Sequence, residues 1–421
     1  MKLCILGLGY IGLPTAVMFA NSGLKVIGVD TNEEVIHAVN SKVPLIEEPE
    51  LPERLAMAVE SGNLHAHMEP QKADAFIITV PTPIHRDKSA DLSYVKKAVE
   101  SVLPYLEKGN LVVVESTVPP RTILDVVCPI LSKSNLEVGK DLYVVYSPER
   151  VTLGNIFYEL KNNSRIIGGI NEISSVKAKE LYEKIVKGQL LFTDATTAEM
   201  VKVIENTYRD INIAFANELT RIAEQIGVNV WEAIELANHH PRVNIHQPGP
   251  GVGGHCIAVD PWFLVELAPE LAKLIKCSRE INDYMPLYTA IKIQKILNEN
   301  NVLKGKAAIL GLTFKANIDD CRESPSIELI SKLQEMGLQC MAYDPWLKDK
   351  KFDCQTLYLE EALQDADILV ILVGHAQFKR IDINTAGQLM NHRIILDTKN
   401  HVDLKTWAKK GFKTYLLGKC N

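Results

Sequence analysis

A short apolar run at residues 3–6 opens directly onto Gly7-Leu-Gly9-Tyr10-Ile11-Gly12, and this pairing limits the fold more than any other feature of the chain. GxGxxG by itself is a weak pattern. Here an apolar helical segment follows it to about residue 22, Gly23 stops that segment, and a second strand pattern at residues 25–29 ends in Asp30. Strand, glycine turn, helix and strand in that order specify a βαβ unit with parallel strands. The first glycine permits the tight turn, the second lets the backbone approach a pyrophosphate, and the third lets the helix pack on the strand. The positive end of the helix then faces the anion, which makes Gly7, Gly9, Tyr10, Ile11 and Gly12 the candidate dinucleotide turn. Asp30 fits the ribose hydroxyls. A carboxylate there repels a 2′-phosphate, and Thr31 and Asn32 supply no cation, so the expected cofactor is NAD rather than NADP.

Further strand patterns at residues 75–80, 111–115 and 142–146 extend the alternation, each running into polar, loop-forming residues. Ligands of open parallel sheets bind outside the carboxyl ends of the strands. That rule places Thr82, Thr117 and Glu149 on the cofactor side. The chain has 421 residues, 47% hydrophobic, with a formal net charge of -6, which suits two or three globular domains. The acidic balance, without blocks of lysine or arginine, argues against a nucleic-acid partner. No segment reads as a membrane span. Eight cysteines with no CxxC or paired spacing point to a reducing cytoplasm and to neither a metal site nor a disulfide framework.

The character changes at Thr196-Thr-Ala-Glu199, a capping-box pattern that predicts one long helix over residues 197–226. Its apolar residues, Met200, Val203, Ile204, Tyr208, Ile211, Phe215 and Leu219, exceed what one lobe covers, so a homodimer surface is expected. Lys202, Asn206 and Asp210 form a polar stripe at i, i+4 and i+8, either a solvated face or the lining of a cleft. Beyond the helix, Gly249-Pro-Gly-Val-Gly253-Gly-His-Cys256-Ile-Ala-Val-Asp260 delivers a thiol and a carboxylate from a glycine-rich loop. A helix starting at Cys256 would place Cys256 and Asp260 one turn apart and favour the thiolate. The alternative is a glycine turn carrying an inert buried cysteine.

The C-terminal third repeats the alternation, with strand patterns at residues 307–310, 339–343, 368–373 and 393–396 but without the fingerprint. Lys315 follows its first strand and Arg322 precedes a helix, a place for an anion smaller than a dinucleotide. The expected fold is α/β: an N-terminal Rossmann NAD domain at 1–195, a central helical dimerisation region with the cysteine loop at 196–300, and a Rossmann-like domain at 301–421.

Gly7-Leu-Gly-Tyr-Ile-Gly-Leu-Pro, Glu115-Ser-Thr, Ser147-Pro-Glu-Arg, Glu205-Asn-Thr-Tyr-Arg-Asp, Gly251-Val-Gly-Gly-His-Cys and Gly311-Leu-Thr-Phe-Lys, in this order, resemble the UDP-glucose/UDP-N-acetylmannosamine dehydrogenases over essentially the whole chain. Residues 238–263 are similar to the N-acetylmannosamine branch. Val259 stands where UDP-glucose members usually carry lysine. The resemblance implies NAD-dependent, four-electron oxidation of C6 of a UDP-sugar to a carboxylate that serves surface polysaccharide synthesis. It implies that Cys256 holds the aldehyde-level intermediate and that Lys202 and Asn206 stabilise the oxyanion. Asp260, with a water near Thr117, would accept the alcohol proton, and Glu149 would activate the hydrolytic water. It further implies UDP-sugar contacts at Glu149, Lys202, Asn206, Arg242, Gly249, Gly253 and Lys315, with Arg242 acting within its own subunit or across the dimer, and Thr82, Thr117 and Arg322 on the cofactor side. UDP-N-acetylglucosamine and UDP-glucose remain alternative substrates. An ordinary two-electron dehydrogenase has no use for Cys256, and a non-catalytic nucleotide-sugar binder needs neither Lys202 nor Asp260. NADH formed per sugar separates the three: two, one or none.

Overall fold

The computed structural model describes residues 1–420, which divide into two compact units: Met1–Glu205 with Trp262–Pro269, and Asn206–Pro261 with the chain from Glu270 onward. In the first unit eight strands form one sheet: β1 (Lys2–Leu6), β2 (Lys25–Val29), β3 (Leu64–His67), β4 (Ala75–Ile78), β5 (Leu111–Val114), β6 (Tyr143–Tyr146), β7 (Arg165–Gly169) and β8 (Leu190–Asp194). Their order is β3-β2-β1-β4-β5-β6-β7-β8. The β6–β7 pair is antiparallel, while β1 pairs in parallel with both β2 and β4. Strands buried on both faces read as continuous apolar runs. Leu3, Ile5 and Ile77 therefore pack into one core, and Cys4, Leu6, Phe76 and Ile78 into the other. The strand order reverses between β1 and β4, and in open α/β sheets that reversal is where a ligand crevice forms.

The turn after β1 shows why its glycines are required. Gly7 has φ +92°, and a Cβ on Gly12 would lie 1.7 Å from the Gly7 carbonyl oxygen. Helix α1 (Gly12–Asn21) starts at that contact. Asp30 closes the motif, for one carboxylate oxygen accepts the Leu8 N–H at 2.8 Å and the other accepts the Asn32 N–H at 3.0 Å.

In the second unit, β9 (Lys306–Leu310), β10 (Gln339–Tyr343), β11 (Gln355–Thr356), β12 (Ile368–Ile371), β13 (Ile394–Asp397) and β14 (Lys413–Leu416) form a sheet in the order β11-β10-β9-β12-β13-β14. All of its pairs are parallel. The long helix α2 runs over Ala195–Ile226, followed by α3 (Asp260–Leu267), α4 (Lys273–Glu299) and α5 (Pro325–Glu335). Along α2 the side chains of Met200, Ile204, Tyr208, Phe215 and Ile222 are exposed.

Two expectations change. The α2 entrance is not a capping box: Asp194 accepts both the Thr197 N–H and the Thr197 hydroxyl, which leaves Glu199 for other work. Its carboxylate is fully buried and accepts the N–H groups of Arg121 at 2.6 Å and Ile123 at 2.7 Å, tying the helix to the loop after β5. The second change is that the helix after the glycine loop begins at Asp260, not at Cys256. Cys256 lies in the preceding turn, where its carbonyl accepts the Asp260 N–H at 2.8 Å.

Gly12→Ala should destabilise the first unit by about 2 kcal/mol or more, because the oxygen it meets is backbone and cannot swing aside. Denaturant unfolding measures this, and a wild-type midpoint would contradict it. Glu199 yields a pH prediction. Burial pushes its carboxyl up to about 7 against the pull of the two backbone donors. A raised folded-state value means that its stabilising contribution is complete below about 4.5 and is lost as pH rises through 7. Relative to Glu199→Gln, the wild-type protein should lose on the order of 3 kcal/mol across that interval. A stability difference that stays flat with pH would refute the assignment.

Candidate active site

At the glycine turn, helix α1 has no side-chain cap, and a Cβ on Gly9 would meet no protein atom within 4 Å. The helix N-terminus is thus available to an anion, and Gly9 leaves room for the anion itself. Asp30 stands at the carboxyl end of β2, held by Leu8 of the same turn. This donor set fits NAD. Tyr10 and Ile11 are both half-buried beside it. Two loops farther along the sheet edge, the Thr82 hydroxyl donates to the Thr117 carbonyl and thereby joins the loops after β4 and β5.

Glu149 follows β6 and is almost fully buried. One of its oxygens accepts from Arg165 Nη1 at 2.8 Å and the other from the Arg150 N–H at 2.7 Å. Arg165 opens β7, donates through Nε to the Ser147 hydroxyl at 2.9 Å, and pairs through Nη2 with Glu115. Glu115 also accepts the Tyr182 hydroxyl at 2.6 Å, and the guanidinium lies 4.2 Å from the Tyr182 ring centre. Burial pushes the Glu115 carboxyl up, and the Arg165 charge opposes that rise. One buried cation thus serves two carboxylates. Lys202, on α2, donates through Nζ to the Glu149 carbonyl at 2.7 Å. The structure therefore joins Glu149 and Lys202, and it adds Arg165, Glu115 and Tyr182, which the sequence reading missed. The available signal was an arginine at the head of an otherwise apolar strand.

In the second unit Asn206 and Asp260 meet. Asn206 Nδ2 donates to Asp260 Oδ2 at 2.5 Å, while Asn206 Oδ1 accepts from Arg209. Both are buried. Cys256, one turn before Asp260, is exposed. By contrast, burial pushes the Cys4 and Cys128 thiols up to about 11 and Cys340 to about 12, which keeps them protonated at neutral pH. Upstream of Cys256, Gln247, Pro250 and Gly251 line a cleft of about 350 Å³ together with Phe314, Lys315 and Lys399. Gly249 and Gly253 serve close packing there. A Cβ on Gly249 would lie 2.6 Å from Lys399 Nζ, and one on Gly253 would lie 2.4 Å from the Glu323 carbonyl oxygen.

Lys315 is set by a buried cluster that the sequence reading also missed. His375 Nδ1 accepts the Asn317 N–H at 3.0 Å, so the ring proton sits on Nε2, 3.0 Å from Asp344 Oδ2 and 3.1 Å from the Thr313 hydroxyl. Asp344 also accepts the N–H groups of Leu312 and Thr313. Burial alone would raise its carboxyl, but His375 and the N–H groups of Leu312 and Trp346 outweigh it and hold the group below its ordinary value. The cluster fixes residues 312–317. Arg322 pairs with Asp320 through Nε and Nη2, at 2.9 and 2.6 Å. Arg242 is exposed and is not part of the cleft wall. Among the described residues no helix is long and apolar enough to cross a membrane, and no group of three or more His, Cys, Asp or Glu is placed to hold a metal.

Three family models match in succession: UDP-glucose/GDP-mannose dehydrogenase family, NAD binding domain, over residues 1–186; central domain over 196–284; and UDP binding domain over 308–404. The chain is 49% identical to the UDP-N-acetyl-D-mannosamine dehydrogenase of Methanocaldococcus jannaschii, covering 99% of this chain and 96% of that protein. It is 46% identical to an NDP-N-acetyl-D-galactosaminuronic acid dehydrogenase of Ralstonia nicotianae, over 94% and 95% of the two chains. Among solved structures, the UDP-D-ManNAc dehydrogenase of Pyrococcus horikoshii superposes with a TM-score of 0.93 at 42% identity, covering 99% of each chain. A nucleotide turn, a cysteine loop and a second nucleotide-type cleft thus occur in the order of the three matched domains, and the chain belongs to the UDP-glucose/GDP-mannose dehydrogenase family.

Proposed function

We propose that this chain is an NAD-dependent UDP-sugar 6-dehydrogenase that converts UDP-N-acetyl-D-mannosamine to UDP-N-acetyl-D-mannosaminuronate. The observation that carries the reading is the shared loop: Gln247, Pro250 and Gly251 wall the cleft beside Lys315, and five residues later the same loop presents an exposed thiol. A nucleotide held in that cleft delivers its sugar to the thiol. The relatives named for UDP-N-acetyl-D-mannosamine, and Val259 in place of the usual lysine, favour that sugar over UDP-glucose.

NAD, when bound at the glycine turn, supplies the hydride acceptor for both oxidations. Asp260, with a water near Thr117, takes the proton of the C6 hydroxyl as the first hydride leaves. Cys256 sulfur then adds to the aldehyde carbon to give a thiohemiacetal, and the second hydride loss turns this into a thioester. Lys202 and Asn206 offer N–H donors to the oxygen as charge develops. Glu149 directs water onto the thioester carbon, releasing the carboxylate and restoring the thiol. Thr82 and Arg322 serve the cofactor side. Lys315 and the backbone of Gly249 and Gly253 serve the UDP, with Arg242 reaching toward the sugar or diphosphate. This reading divides the chain at 195 and 300 and places it in a reducing cytoplasm. The exposed apolar row of α2, Met200 to Ile222, supports a homodimer built on that helix.

Cys256→Ala should abolish acid formation and leave UDP binding intact. Cys256→Ser should accumulate an ester-linked sugar nucleotide detectable by mass spectrometry, because an ester hydrolyses more slowly than a thioester. Acid made by Cys256→Ala at the wild-type rate with two NADH per sugar would rule out the covalent role. On a panel of UDP-N-acetylmannosamine, UDP-N-acetylglucosamine, UDP-N-acetylgalactosamine and UDP-glucose, the first should give the highest kcat/KM, and a higher value on any other would reassign the sugar. Asp30→Ala should weaken NAD use by about 1–3 kcal/mol and narrow the margin over NADP. Equal use of both cofactors by the wild-type enzyme would count against Asp30. Light scattering should find a dimer at micromolar concentration, and a monomer would refute the helix interface.

A further inference from the structure

The second unit contains a chain of buried polar side chains that ends on the cysteine loop. The Gly249 N–H donates to Asn217 Oδ1 at 2.9 Å, and Asn217 Nδ2 donates to Asn282 Oδ1 at 2.9 Å. Asn282 Nδ2 then donates to Asp210 Oδ1 at 2.8 Å and to the Asp210 carbonyl at 3.0 Å. Arg279 balances the charge, pairing with Asp210 at 2.5 Å and with Asp283. Asn217, Asp210, Asn282 and Arg279 are all at most 1% exposed. A backbone N–H can only donate. It therefore fixes the flip of the Asn217 amide, which fixes that of Asn282, so the chain runs in one direction and must end on an acceptor. Asp210 is that acceptor. Burial pushes its carboxyl up, and Arg279 opposes the rise.

The far end of the same loop is held by the same helix, through Asn206 on Asp260. Asn206 and Asn217 are eleven residues apart on α2, roughly 17 Å along its axis, and Gly249 and Asp260 are eleven residues apart on the loop. The loop between them contains neither strand nor helix, so its course depends on the grip at its ends together with the close seating of Gly251, Gly253 and Gly254.

We propose that Asn217 is a positioning residue for the Cys256 thiol, acting through the Gly249 N–H and held in orientation by Asn282, Asp210 and Arg279. The proposal rests on the reading of Cys256 as the nucleophile. Releasing the Gly249 end lets the packed glycine run shift on Phe314 and Pro325 and carry the thiol with it, and a displacement of about 1 Å costs up to a hundredfold in rate.

The test compares Asn217→Ala and Asn282→Ala with the wild-type enzyme by melting temperature, steady-state kinetics, and the rate at which iodoacetamide alkylates Cys256 with and without saturating UDP. Asn217→Ala should lower kcat about tenfold or more, keep KM for NAD within about twofold, and weaken the protection that UDP gives Cys256. Asn282→Ala, which leaves the grip on Gly249 but frees the amide to rotate, should lower kcat by a smaller factor in the same direction. A lower melting temperature with unchanged kcat and unchanged alkylation in both variants would reduce the network to a packing link and overturn the proposal. Should Asn217→Ala fail to fold, Asn282→Ala decides alone by the same criteria. Failure of the nucleophile reading looks different: Cys256→Ala would then retain turnover whatever the Asn217 variants do.

Discussion

Polar side chains on the buried face of α2 gain by finding partners, because an unpaired donor or acceptor in the interior costs about 1–3 kcal/mol. Apart from the Thr207 hydroxyl and one Asp210 oxygen, the buried polar side-chain atoms described on the helix do so. That requirement organises the residues proposed for the chemistry. Lys202 meets it on the Glu149 carbonyl, Asn206 on Asp260, and Asp210 on Arg279 and Asn282. An apolar face would pack as well and leave all of these groups free to move. The fixed orientation of each of these side chains is thus a by-product of burying polar groups on a regular helix.

The same reasoning applies, with charge, around Arg165. A guanidinium removed from water has to be paired, and removing one partner of such a pair costs more than never having built it. Arg165 sits between Glu115 and Glu149 and is fastened by Ser147 and the face of Tyr182. With one Glu149 oxygen held by Arg165 and the other by the Arg150 N–H, both are oriented. Each oxygen keeps a second lone pair, so a carboxylate fixed in this way can still take a water. Burial raises the Glu115 carboxyl and the Arg165 charge opposes that rise, while the same guanidinium pairs with Glu149.

Local rules made the sheets and the nucleotide turn readable, because β1, β2, β4, β5, β10 and β12 announce themselves as apolar runs before glycine or polar loops. Residues 64–67 escaped notice since Leu-His-Ala-His alternates buried and exposed at a sheet edge. Residues 355–356 are too short to show a period, and the partly exposed strand β8 reads like surface. The false capping box has a physical cause. Glu199 satisfies the local pattern, yet two unpaired N–H groups 76 and 78 residues earlier compete for its carboxylate and win. Contacts of this kind carry most of the site: Thr313 with His375 across 62 residues, Asn217 with Asn282 across 65, Asn206 with Asp260 across 54. Composition and spacing cannot report them. Cys256 and Asp260 were legible because one loop carries both, whereas the groups that hold them lie elsewhere in the chain.

The glycines of that loop were the clearest sign of chemistry in the sequence, and the structure uses them for close approach of other backbone and side chains. A Cβ on Gly253 would strike the Glu323 carbonyl, one on Gly251 would lie 2.7 Å from Pro325 Cβ, and one on Gly254 would lie 2.8 Å from the Phe314 ring. Gly251 and Gly254 also have φ of +140° and +83°, which other residues adopt only under strain. The backbone is therefore pressed against the Phe314 segment and the start of α5, with no side chain between. A loop seated so closely moves with what it touches. Phe314 precedes Lys315, and Lys315 belongs to the segment that Asp344 and His375 hold in place. Thiol loop and cleft wall thus form one packed body, and the distance from the cleft to Cys256 is set by van der Waals contact rather than by chance closure of a mobile segment.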